Sequence, residues 1–156
     1  MARDARGRQH VPPLVSVQSA LRYVILTLAL ACFGGVAFSQ DPAATTAQRV
    51  AREWLALTDA GNAAASWDAA ARQFKNAMTR DRWAEALKQA RDPLGALTQR
   101  SVLSTSFATS FPGAPDSNYA IVLFRSAFAK KADAVETVTL ERESDDAWRV
   151  VGYVIR

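Results

Sequence analysis

The chain has 156 residues, 49% hydrophobic and 22% charged, with 19 basic and 15 acidic side chains and a formal net charge of +4. That length suits one small domain with a single core. One cysteine, Cys32, and one histidine, His10, exclude a disulfide framework, and because both lie in a stretch that reads as a removable leader, thiol chemistry, Cys/His metal sites and imidazole-based triads are excluded from the mature domain as well.

The leader comes first in the chain. Arg3, Arg6, Arg8 and Arg22 precede an apolar run over residues 23–33, and Ala37-Phe38-Ser39 sets small residues at the positions signal peptidase inspects. Residues 1–39 are therefore expected to be a signal peptide cleaved before Gln40, and the protein to be exported, periplasmic or secreted. The uncharged stretch 23–39 falls short of the roughly 20 apolar residues that span a bilayer, and no basic cluster follows it. The alternatives are an uncleaved anchor and lipidation at Cys32, the latter poorly matched because bulky Leu30 precedes Ala31 and the apolar stretch continues to Phe38. Without either, membrane contact is expected only during export. The 22 residues ahead of the apolar core are long for a basic leader region, which leaves Val15, Val17 or Leu21 as alternative starts. The leader also carries four Arg and one Asp, so residues 40–156 keep 15 basic and 14 acidic groups. Lys130-Lys131 is their only adjacent basic pair, too sparse for counterion release, and no nucleic-acid partner is expected.

A short linker, 40–45, is expected to lead into one domain over residues 46–156. Its first half is rich in Ala, Arg, Gln and Trp at helical spacing. A helix is predicted over 46–60, with Val50, Trp54, Leu57 and Ala51 or Thr58 inward and Gly61-Asn62 as its stop. A second is predicted over 64–77, aligning Trp67, Ala71, Phe74 and Met78, and a third over 80–90, capped by Thr79 and turning Trp83, Leu87 and Ala90 inward. Asp92-Pro93-Leu94-Gly95 ends it. Val, Thr, Phe and Ile then dominate with alternation, predicting strands over 97–109, 119–129, 134–143 and 147–155, separated by a long loop after Phe111, a turn over 130–133 and a tight turn at Ser144-Asp145-Asp146. Helices in one block and strands in the next predict an α+β fold: three N-terminal helices on a four-stranded antiparallel sheet, cystatin-like or cone-shaped.

Chemistry-bearing residues are few. Trp54, Trp67 and Trp83 sit at core-facing positions, where packing is the first reading and an aromatic-lined ligand site the second. Glu136 shares strand parity with Val138 and Leu140, so its carboxylate faces inward and needs a partner. Arg91 or Arg100 can supply one through an Arg–carboxylate fork, and an unpaired Glu136 would instead be a candidate general base or ligand group. Tyr119 begins one strand and Tyr153 ends another, which predicts two hydroxyl anchors closing the same edge of the sheet. Ser104, Ser106 and Ser110 have no histidine or suitably placed lysine to activate them. Asp145-Asp146 offers too few oxygens for a calcium loop. No metal site, disulfide or cofactor is expected.

The spacing of Trp54-Leu55, Asp59-Ala-Gly61, Ser66-Trp67, Trp83, Arg91-Asp-Pro-Leu-Gly95, Arg100, Phe111-Pro-Gly113, Tyr119, Glu136-Thr-Val-Thr-Leu140 and Trp148-Arg-Val-Val-Gly-Tyr153 resembles the bacterial domain of unknown function family 4019, small exported proteins. The resemblance covers 46–155. It departs in turns, with Asp146 where relatives tend to have glycine and Ala63-Ala64 where they have an aromatic. It implies a fold and no activity. The leading expectation is an exported, non-enzymatic accessory domain binding a protein or envelope component through its sheet edge, long loop or pocket, motivated by apolar side chains on both faces of Ile121-Val-Leu-Phe124. A small-ligand carrier with an aromatic-lined pocket comes second. A histidine-free acid/base enzyme using Glu136 with Tyr119 or Tyr153 comes third.

Overall fold

In the computed structural model, which describes residues 41–156, helix begins earlier than the apolar spacing predicts. Asp41 accepts the Ala43 N–H at 2.9 Å and Pro42 brings a preset φ to the first turn, so helix α1 runs Pro42–Asp59 and the expected linker 40–45 is helical from Pro42 onward. The expected leader, with His10 and Cys32, lies outside the described residues. No helix among the described residues is long and apolar enough to cross a membrane.

The buried stripe of α1 is Ala47, Ala51, Trp54, Leu55 and Thr58. Val50 and Leu57, expected inward, are only half-buried at its flank. Small side chains at 47 and 51 let the helix lie close on the sheet, and that close seat rotates the helix away from the larger aliphatics.

One predicted helix, 64–77, is two: α2, Ala63–Asp68, and α3, Arg72–Ala77. Between them Ala71 is extended (φ −62°, ψ 156°), and its N–H donates to the Val150 carbonyl of the last strand at 2.9 Å. A tertiary hydrogen bond thus replaces an intrahelical one that local propensity favours. Helix α4, Arg80–Arg91, starts at a Thr79 cap and passes into a 3₁₀ turn, Asp92–Leu94. Gly95 follows with φ +74° and ψ −165°, a conformation closed to other residues.

Four strands follow: β1, Leu97–Ala108; β2, Asn118–Phe128; β3, Lys131–Arg142; and β4, Trp148–Ile155. They form an antiparallel meander in the order β1-β2-β3-β4, so the fold is α+β. The second turn is Ala129-Lys130, shorter than the expected 130–133, because Phe128 already pairs with Lys131. The inner face of the sheet supplies Ala120, Val122, Phe124, Val138, Leu140 and Val150 to a core completed by Trp54, Leu55, Phe74, Trp83 and Leu87 from the helices. Val122 and Phe124 are wholly buried there, so the apolar run of β2 leaves only Ile121 and Leu123 facing outward.

Candidate functional site

Six side chains from six elements meet where α1 and α4 end over the sheet. Glu136 (β3) is completely buried. Its Oε1 accepts from Arg91 Nη1 at 2.9 Å and from the Tyr153 hydroxyl at 2.7 Å; its Oε2 accepts from Arg100 Nε at 2.7 Å and from the Ser126 hydroxyl. Asp59, the last residue of α1, closes the ring, taking both terminal nitrogens of Arg100, at 2.6 and 3.0 Å, and Nη2 of Arg91. A carboxylate at a helix C-terminus meets the negative end of the helix dipole, and the two guanidinium groups offset that repulsion. Two cations and two anions leave the cluster neutral.

The sequence explains how each group arrives. Arg91 ends α4, and the Asp92–Gly95 turn reverses the chain so that Arg100 returns on the inner face of β1, opposite Ser126. The two guanidinium groups, each 11% exposed, cover the buried carboxylate, and that of Arg91 also stacks on the Phe128 ring at 4.8 Å. Burial works against the charge of Asp59, but hydrogen bonds and attraction from Arg100 and Arg91 outweigh it, holding its pKa below the usual 3.8. Burial likewise opposes charge on Arg91 and on Arg100. Tyr153 and Asp59 outweigh it for Arg91, and Asp59 and Glu136 for Arg100, so both guanidinium pKa values rise. The Tyr153 hydroxyl is pushed far up by burial and by the Glu136 charge, which keeps it a neutral donor. All four acceptor positions of Glu136 are filled from within the protein, so no lone pair faces a space a substrate can enter.

Both arginines paired with Glu136 by parity are thus present, together. Asp59 and Ser126 complete the cluster, and their roles are absent from the sequence reading. Each left a signal: a carboxylate on the electrostatically wrong end of a helix, and a hydroxyl on the inward parity of β2 between Phe124 and Phe128.

The aromatic candidates lie elsewhere. Trp83 is buried and donates to the Ser66 hydroxyl at 2.9 Å, while Trp54 donates to the Ser66 carbonyl at 2.8 Å. The two indoles lie 5.6 Å apart, with Tyr153 5.5 Å from Trp54. Trp67 is half-buried; it donates to the Met78 carbonyl at 2.8 Å and lies beneath Lys75 and Arg80. Tyr119 does not share an edge with Tyr153. Strands β2 and β4 are each antiparallel to β3 and so run the same way, which puts the start of one and the end of the other at opposite ends of the sheet. Tyr119 donates instead to the Pro115 carbonyl at 2.7 Å, under the Phe111 ring. At that end a groove of about 420 Å³ is lined by Asp41, Phe107, Tyr119, Arg142 and Trp148 among others. Phe107 is 44% exposed there, 6.1 Å from Trp148.

No curated protein and no solved structure matches the chain. A family profile described as protein of unknown function (DUF4019) does match it, over residues 50–153. That stretch holds all six residues of the buried cluster and the whole core-forming part of the sheet, and the chain belongs to the DUF4019 family.

Proposed function

We propose that this chain is an exported, non-enzymatic domain that acts by docking a protein or an envelope component. Export rests on the order of basic, apolar and small residues over 1–39, and the architecture reads as cystatin-like or cone-shaped, with helices on one face of a short meander. One contrast carries the reading. The buried charged cluster is saturated by its own members, whereas the outer face of the sheet presents Leu103 (49% exposed) and Val154 (48%) beside half-buried Ile121 and Leu123. Accessible apolar surface on an otherwise well-packed domain is the signature of a docking face. The immobilised full chain is expected to capture a specific envelope component, and a Leu103→Asp/Val154→Asp variant with an unchanged melting curve is expected to lose it. Capture of nothing by the parent protein, or equal capture by both, overturns the reading.

The groove of Phe107 and Trp148 favours a second reading, a small-ligand carrier, since it combines aromatic faces with the charged groups of Asp41 and Arg142. Ligand-dependent shifts in tryptophan emission that disappear in Phe107→Ala would support it. An acid/base enzyme built on Glu136 draws least support, because Tyr153 and Ser126 already donate to that carboxylate and Tyr119 stands at the far end of the sheet.

A further inference from the structure

The two edges of the sheet differ. At the β4 edge the Val150 carbonyl accepts the Ala71 N–H, whereas the backbone groups of β1 that point away from β2 have no backbone partner among the described residues. No residue of β1 is buried. An unpaired edge is a template for another strand, and proteins blunt it with charges, proline or bulges. β1 has one such bulge at Leu103, where its register against β2 shifts, and beyond it Ser104–Ala108 runs five residues without interruption. From Ser101 to Pro115 the chain carries no charged residue, and β1 contains no proline. Thr105 and Phe107 lie opposite wholly buried Val122 and Ala120 and so share the inner face, which leaves Ser104, Ser106 and Ala108 on the outer one. Ala120 is too small to cover its neighbour, and the Phe107 ring stays 44% exposed at the edge.

We infer that Ser104–Ala108 pairs antiparallel with the same stretch of a second copy of the chain, about a two-fold axis through Ser106, so that the two meanders join edge to edge in one continuous sheet. This register sets Ser106 opposite Ser106, Thr105 opposite Phe107 and Ser104 opposite Ala108, and every pair then lies on one face, as antiparallel pairing requires. An axis through Thr105 instead would set outward Ala108 against Val102, which faces inward beside buried Phe124 on the far side of the bulge. The two Phe107 side chains become diagonal neighbours, about 7–8 Å apart along the backbone and within aromatic reach. They extend the Phe107–Trp148 contact of each copy, 6.1 Å between ring centroids, into one aromatic row across the axis. A second copy is thus favoured over an unrelated strand because each copy brings the ring that covers the other's. Five paired residues at about 3.4 Å each make a contact about 17 Å long. So short an edge buries less than the roughly 800 Å² per partner of a standard interface, and association with a Kd on the order of tens of micromolar is expected.

Sedimentation equilibrium on the full chain, purified as the expressing host delivers it, tests the pairing from about 1 to 500 μM, the range in which a contact of this size dissociates. A concentration-dependent dimer is expected. Ser106 meets itself on the axis, so Ser106→Lys and Ser106→Asp should each weaken the dimer about tenfold by setting like charges opposite each other. An equimolar mixture of the two variants should associate again, as a heterodimer with opposite charges on the axis. Both substitutions lie on an exposed edge position, where charge is how native sheets keep edges apart, and far-ultraviolet circular dichroism is expected to stay unchanged. A parent protein that is monomeric throughout the range, variants that associate as tightly as the parent, or a mixture no tighter than either variant alone overturns the dimer. The pairing uses the edge of β1 and not the outer face. A monomeric parent that still captures an envelope component, lost in Leu103→Asp/Val154→Asp, overturns the dimer and leaves the docking reading standing; a dimer that captures nothing does the reverse.

Discussion

Glu136 shows what one inward carboxylate demands of its neighbours. A charge taken fully out of water is tolerated only when its acceptor positions are filled, and here four donors from four elements fill them. Glu136→Gln removes the charge and puts an N–H₂ group where two donors already point. We predict a loss of about 3 kcal/mol or more in urea unfolding, the size seen when one partner of a buried ion pair is removed. A residue used as a general base would instead leave the fold intact. Asp59 belongs to the same cluster at its rim, 22% exposed, and contributes a pH dependence. Its folded pKa lies below the ordinary 3.8, so the stability it contributes is complete above about pH 4 and drains away as pH falls through the folded value. Asp59→Asn is accordingly predicted to lower stability at pH 7 and to flatten the decline below pH 4, as read from melting temperatures across the acid range.

At the level of elements, the turn between α4 and β1 positions both arginines. Gly95 combines a positive φ with a tight site: a Cβ would lie 3.3 Å from the Ala129 side chain, where the β2–β3 hairpin docks through Lys130 N–H to the Leu94 carbonyl at 2.9 Å. Gly95→Ala is predicted to cost about 2 kcal/mol or more in a denaturant melt, from backbone strain and the hairpin's displacement together. The break between α2 and α3 has the opposite origin. Ala69-Ala70-Ala71 is good helix sequence, yet Ala70 and Ala71 are completely buried and the Ala71 N–H is committed to an edge strand. Nothing within 64–77 announces that bond, because the acceptor, Val150, lies far along the chain. Strand limits, by contrast, fell within three residues of their alternation, since the period of two and the turn residues are both local.

For the whole molecule, the buried cluster ties α1, α4 and all four strands together at one point, while on the opposite side of the sheet Leu103 and Val154 stay about half exposed. A saturated interior beside two exposed apolar side chains on the outer face is the contrast on which the docking proposal rests. The linear order of residues determined that the domain is α+β, that Trp54, Trp67 and Trp83 belong to helices facing a sheet, that Glu136 points inward, and that Arg91 and Arg100 are near enough to meet it. These follow from periodicity, parity and turn chemistry, which act over a few neighbouring residues. Only the tertiary structure decided that both arginines share the carboxylate, that Asp59 and Ser126 join them, that one helix breaks to cap an edge strand, and that Tyr119 and Tyr153 stand at opposite ends of the sheet. Those outcomes depend on register and approach between segments distant in the chain, where the energy of a contact is set by what else the fold has already brought alongside.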